Sequence, residues 1–95
     1  MNAIDHLIWD DWNIGHIARH DVTPDEVEEA CARGIVAWPT YRDRILAVGA
    51  SAHQRVLAIV LEPAEPPGAY YVITARPASR KERAAYRSQQ ENIEP

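Results

Sequence analysis

Residues 70–90, YYVITARPASRKERAAYRSQQ, hold the densest set of chemically capable side chains in this 95-residue chain. Arg76 closes a strand-like run. Arg80, Arg83 and Arg87 follow at helical spacings of three and four, with Tyr86 on a neighbouring position of the same helix. Guanidinium groups grip phosphate bidentately and stack on bases. Such a group can hold the scissile phosphate of RNA and neutralise charge built up in a transition state. Arg55 opens a second strand-like run and would lie beside Arg76 at the same end of a sheet if the two strands pair antiparallel. A plainer reading fits the same residues: Arg80, Arg83 and Arg87 as a solvated helix face, pairing with Glu82 and an acidic helix upstream.

A second constellation is Asn13, His16 and His20, whose offsets of three and four form one stripe of a helix opposite Ile14 and Ile17. Two histidines one turn apart can bind zinc, but Ile17 follows His16 and no third ligand stands at a recognisable spacing, so no metal site is expected. Imidazole titrates near neutral pH, which suits general acid–base work or contact with RNA, against the alternative of capping or a plain surface stripe. His53, beside Arg55 in a turn, is a further acid, base or RNA-contact candidate, although a lone loop histidine is usually none of these. Cys31 falls at an inward helical position with no basic activator nearby, as a structural thiol would. Trp9, Trp12 and Trp38 can stack on bases, but in a chain without phenylalanine they are expected in the core and at an interface. Glycine-rich phosphate loops, serine elbows and usefully spaced paired carboxylates are absent from the sequence.

The elements that must position these groups are legible in outline. Leu7-Ile8-Trp9 is a short strand signal, and Asp10 or Asp11 can cap a helix running to about His20, with Ile14, Ile17 and Ala18 as its apolar stripe. Thr23-Pro24-Asp25-Glu26 combines a capping box, a proline at the first helical position and acids at the positive end of the dipole. Val27, Ala30 and Cys31 then face inward, and Gly34 stops this helix. Ile45–Val48, Val56–Leu61 and Tyr70–Ile73 are strand runs. The middle one is apolar on both faces and belongs in the centre of the sheet. Ser79-Arg80-Lys81-Glu82 is another capping box, opening a polar helix to roughly Gln90 before a fraying tail, residues 91–95. The expected architecture is α+β: a short strand, two helices, a three-stranded antiparallel meander and a C-terminal helix, with helices on one side of the sheet.

Size and composition narrow the function classes. At 10.7 kDa there is room for one domain, residues 1–95, and 46% hydrophobic residues suffice for a core without disulfides or a structural metal. The longest apolar run, Val56–Leu61, is far too short to span a membrane. No basic residue precedes Arg19, so a secretory signal is not expected. One cysteine suits a reducing cytoplasm. The net charge of −4 conceals a division: residues 1–33 hold eight acids against two arginines, while residues 41–87 hold eight bases against four acids. An acidic chain can in this way carry one anion-binding face.

Taken together, these motifs resemble the BrnT family, the toxin halves of bacterial type II toxin–antitoxin pairs. The resemblance runs from about Ile8 to Tyr86. ITARPASRKERAAY is similar to the family's strand-then-helix signature of Ala-Arg, Arg-x-Glu-Arg and Tyr. YRDRILAVGASAHQRVLAIVLE repeats the arginine before a strand, the glycine at its end and an arginine, Arg55, opening the next. ARHDVTPDEVEEA is similar to the family's Lys-His-Gly-Val segment and acidic helix. The chain departs from the pattern where Trp12 and His16 replace a lysine and an asparagine and Asp21 replaces the glycine.

The resemblance implies a RelE/ParE-like fold and a cytoplasmic ribonuclease that inhibits translation, held in check by a cognate antitoxin. Arg55 and Arg76 would bind the scissile phosphate, and Arg80 and Tyr86 would support it or the neighbouring base. His20 would be the acid or base, and Glu82 would orient an arginine. Arg83, Arg87, His16 and His53 are the remaining candidate RNA contacts. Such enzymes need no metal or other cofactor: the RNA 2′-hydroxyl attacks its own phosphate in line, and the protein positions, neutralises and moves protons. The substrate would be RNA, free or on the ribosome. The departures at Trp12, His16 and Asp21 favour a rival reading, a catalytically silent domain of the same fold that binds a protein or RNA. A third reading is an accessory protein that dimerises through its tryptophans.

Overall fold

The computed structural model describes residues 4–91, so the tail beyond Glu91 lies outside the described residues. The order is β1 (His6–Ile8), α1 (Asp11–Ala18), α2 (Pro24–Arg33), β2 (Ile35–Pro39), β3 (Ile45–Ala50), β4 (Val56–Pro63), β5 (Ala69–Pro77) and α3 (Arg80–Glu91). This is an α+β fold with one mixed sheet in the order β1-β5-β4-β3-β2. Strands β2 to β5 form an antiparallel meander of four, one more than expected. β1 adds to β5 in parallel, with Leu7 opposite Tyr70. β4 is central, as its two-sided apolar pattern requires.

Both expected capping boxes that open α2 and α3 form. Thr23 Oγ1 accepts from the Glu26 amide while Glu26 accepts from the Thr23 amide. Ser79 Oγ accepts from the Glu82 amide, and Glu82 returns the bond to the Ser79 amide. Asp10 caps α1 in the same reciprocal way with Asn13.

The helices do not share one side of the sheet. Ile17 of α1 and Val27 and Ala30 of α2 pack with Leu57, Ile59, Leu61 and Val72 in the larger core. The alternate residues Val48 and Ala58 face the other way, with Ala78 and Tyr86 packed against them, so α3 covers the opposite face. The reason is the path of the chain: Ala78 donates its amide to the Val56 carbonyl just after β5 ends, which turns α3 onto that second face. Gly49 permits the close seating of α2 on the sheet, because a Cβ there would meet Ile35 Cγ2 at 2.8 Å and the Ala30 and Gly34 carbonyls at 3.2 Å. Among the described residues no helix is long and apolar enough to cross a membrane.

Candidate functional site

One end of the sheet gathers most of the candidate residues. The β3–β4 turn carrying His53, the start of β4 at Arg55, the end of β5 at Arg76 and the first turn of α3 all lie there, since Leu57 pairs with Pro77 and Ala58 with Arg76. The two strands therefore pair antiparallel, and Arg55, just before β4, lies at the same end of the sheet as Arg76. Their side chains nevertheless serve opposite faces. Arg76 shares a face with its partner Ala58 and reaches α3, whereas Arg55 reaches the α1–α2 connection.

Arg76 is held by the α3 capping box. Its two terminal nitrogens donate to the two oxygens of Glu82 at 2.7 and 2.9 Å, a bidentate pair that fixes the guanidinium plane. Hydrogen bonds from Arg76, reinforced by the Ser79 amide, outweigh burial and hold the Glu82 carboxyl down at about 2. Glu82 thus orients an arginine, and that arginine is Arg76.

Arg55 is clamped in a different way. Nη1 donates to the Asp21 carbonyl at 2.6 Å and to both Glu26 oxygens at 3.1 Å, and Nη2 reaches the His20 carbonyl at 3.4 Å. Burial raises the Glu26 carboxyl, but hydrogen bonds from the Thr23 amide and from Arg55 bring it below its ordinary value. Arg55 closes the α1–α2 turn, where Asp21 adopts a positive φ of 60°. It sits beside the His20 backbone at the same time.

Along α3, Arg80 and Arg87 are exposed. Arg83 is half-buried and donates to the Ala78 carbonyl at 2.8 Å, so it braces the helix start instead of facing outward. Tyr86 packs on the smaller core beside Val48 and Ala58. Arg44, at the mouth of β3, has a buried Nε with no hydrogen-bond partner among the described residues.

On α1 the polar stripe divides. Asn13 is wholly buried at 0% exposure: its amide donates to the Ile8 and Val72 carbonyls at 2.9 and 3.0 Å, and its Oδ1 accepts from the Asp10 amide at 2.8 Å. It is a joint between β1, α1 and β5. The inward side of α1 is therefore Asn13 and Ile17, while Ile14 and Ala18 are exposed. What remains outside is a ladder of rings. Trp12, 58% exposed, stacks on His16 at 4.8 Å and 8°, and His16 meets His20 edge-on at 5.9 Å. His53 is exposed in its turn.

Trp9 donates Nε1–H to Glu28, and Trp38 packs on the smaller core. Cys31 is half-buried against the larger core, and burial, with the nearby Glu28 charge, raises its thiol to about 11. That thiol is poorly nucleophilic. Among the described residues no group of three or more His, Cys, Asp and Glu is placed to hold a metal.

The division of charge along the sequence becomes a division in space. Asp25, Glu26, Glu28 and Glu29 of α2 lie over one face, and Arg76, Arg80, Lys81, Arg83 and Arg87 over the other. Of the four residues expected to do catalysis, Arg55 and His20 adjoin each other on the acidic side, and Arg76 and Tyr86 are on the basic side. Glu82 was expected to orient an arginine and does so for Arg76, whereas Glu26 as the partner of Arg55 was not expected. For Glu82 a signal existed, since a capping-box acid six residues after Arg76 lies within reach of a strand-end guanidinium. For Glu26 none did. Comparison with known protein families, with characterised proteins and with solved structures finds no match to this chain.

Proposed function

We propose that this chain is a cytoplasmic, bacterial RelE/ParE-like ribonuclease toxin that inhibits translation and is restrained by an antitoxin protein. The observation that carries the reading is the basic face at the sheet end, where Arg76 is oriented by Glu82 beside the exposed Arg80 and Arg87. A polyanion drawn to this face and kept from the acidic one would meet the exposed Arg80 and Arg87 and, behind them, Arg76. His20 and Arg55 stand across the same end of the sheet, at the edge that an RNA backbone would cross. In this reading Arg76 holds the phosphate and Arg80 and Tyr86 support it or the adjacent base, whereas His20, on the opposite face with Arg55, contacts the RNA backbone away from the scissile phosphate.

A second reading, a silent RNA- or protein-binding module of the same fold, is favoured by a specific observation. Both phosphate-binding candidates already have carboxylate partners, Glu26 for Arg55 and Glu82 for Arg76. Trp12 and His16 offer rings where the family pattern has a lysine and an asparagine. Inducing the wild-type chain and Arg76→Ala side by side in bacteria distinguishes the two. Growth arrest with RNA loss in the wild type alone supports the toxin. Harmless expression of a folded wild-type protein that still binds RNA with a steep salt dependence supports the module. Arg55→Ala is the poorer variant, because it also releases the α1–α2 turn.

A further inference from the structure

The two edges of the sheet are treated differently by this sequence. The β1 edge is three residues long and is flanked by Asp5 and Asp10, with the exposed His6 inside it. The β2 edge is five residues long. From Gly34 to Thr40 the chain reads Gly-Ile-Val-Ala-Trp-Pro-Thr, without one charged side chain. Among the described residues nothing pairs with its outer side. An uncharged, apolar edge is a template for another strand, and proteins that leave such an edge free usually blunt it with charge, proline or a bulge; of these devices β2 carries only Pro39, near its end.

The hydrogen-bond phase of β2 is fixed by Pro39. Proline has no N–H, so the pairing of Pro39 with Ile45 must be of the non-hydrogen-bonded kind, as the Thr40 N–H to Arg44 carbonyl bond of 2.8 Å also requires. Val36 and Trp38 therefore spend their backbone groups on β3. Ile35, Ala37 and Pro39 turn theirs outward.

We propose that the free edge of β2 is a homodimer interface: a second copy of the chain adds its own β2 antiparallel, with the two-fold axis at Ala37. In this register Ala37 faces Ala37 of the other copy and exchanges two N–H···O bonds with it. Each Ile35 N–H donates to the opposite Pro39 carbonyl, so the missing donor of proline costs only the return bond. Val36 of each copy faces Trp38 of the other in non-hydrogen-bonded pairs, where side chains approach most closely and an aromatic meets a β-branched residue. On the other face the pair at the axis is Ala37 with Ala37, small enough to pass without a clash. The edge is thus self-complementary in hydrogen bonding, in side-chain size and in its lack of charge, as an isologous contact requires. An acidic or basic peptide would find no counter-charge on it. The result is one ten-stranded sheet, two five-stranded halves, with the two Trp38 side chains at its seam. A single strand pair is at the small end of stable interfaces, so dissociation on the order of micromolar is expected.

The test uses the full chain in sedimentation equilibrium from low to high micromolar concentration. The wild type should pass from monomer to dimer. Ala37→Pro removes the two central bonds without touching those to β3, each worth about fivefold, and should weaken association by ~30-fold. Ala37→Lys, which sets like charges at the axis on an exposed side chain, should abolish it while leaving the circular dichroism and melting of the monomer intact. This second variant keeps the test valid if proline disturbs β2. In a Cys31→Ser background, Ala37→Cys should cross-link to itself under mild oxidation far faster than Ala52→Cys. A wild type that stays monomeric at several hundred micromolar overturns the proposal. So does a dimer indifferent to Ala37→Lys, or an Ala37→Cys that cross-links no faster than the control.

Discussion

Replacing Asn13 by alanine should be among the most damaging single changes in this chain, although the residue sits on a helix of only eight residues. Asn13 is fully buried and makes three hydrogen bonds through its side chain, to the Ile8 carbonyl, the Val72 carbonyl and the Asp10 amide. Each nets roughly 1 kcal/mol, and the carbonyls stranded in a dry site add a desolvation penalty, so the loss is about 3–5 kcal/mol. Against a total stability of about 5–15 kcal/mol, that leaves a marginal fold. Urea titration followed by tryptophan fluorescence measures it directly, as a lower midpoint at unchanged slope. Asn13→Asp adds a check on mechanism. Its carboxyl can donate to a carbonyl only when protonated, so burial would raise its folded pKa above the unfolded value of about 3.9. The variant should then be most nearly stable below that pH and lose stability as pH rises through the folded pKa. A loss under about 1 kcal/mol for Asn13→Ala would refute the reasoning, because one of the three bonds alone is worth that much.

Other regions make independent predictions. The Glu82 carboxyl, held at about 2 against an ordinary 4.5, stabilises the fold above pH 4.5 and ceases to as pH falls through 2. Because Arg76 is partly exposed, the effect is about 1–2 kcal/mol, read as a stability gap between wild type and Glu82→Gln that closes on acid titration. In the β2–β3 turn Arg42 and Asp43 both have positive φ, 58° and 63°. Arg42→Asn with Asp43→Gly should raise stability by about 0.5–1 kcal/mol in thermal melts, even after losing the exposed stacking of Arg42 on Tyr41. With its thiol near 11, Cys31 is ionised in about one molecule per thousand at pH 8. It should react with a disulfide reagent far more slowly in the folded chain than in urea.

The sequence made legible the elements whose ends are written in side-chain chemistry. The Thr23 and Ser79 capping boxes form as read, Gly34 ends α2, and the two-sided apolar run of β4 lies at the sheet centre. β2 escaped notice because Ile35-Val36-Ala37-Trp38 is short and lies between a helix stop and a proline, though its β-branched residues were a usable signal. The sidedness of α3 was out of reach, since it depends on the backbone bond from Ala78 to Val56. Asn13 was misread for a general reason: a polar residue at helical spacing from two histidines looks like part of their stripe, and only distant carbonyls reveal it as a joint. Among the site candidates, proximity at one sheet end followed from antiparallel pairing, whereas the face each arginine chose depended on the carboxylates Glu26 and Glu82.

The central claim is that the basic face at the sheet end cleaves RNA, and purified protein tests it most directly. Wild type and Arg76→Ala, both shown to be folded, would be incubated with labelled RNA, free in the presence of a chelator and separately bound to ribosomes, and the products resolved with their termini assigned. The account predicts cleavage by the wild type that leaves 2′,3′-cyclic phosphate ends, as in-line attack by the 2′-hydroxyl requires, and a loss of orders of magnitude in Arg76→Ala. Intact RNA in both settings with the folded wild type, or equal cleavage by both proteins, would contradict it.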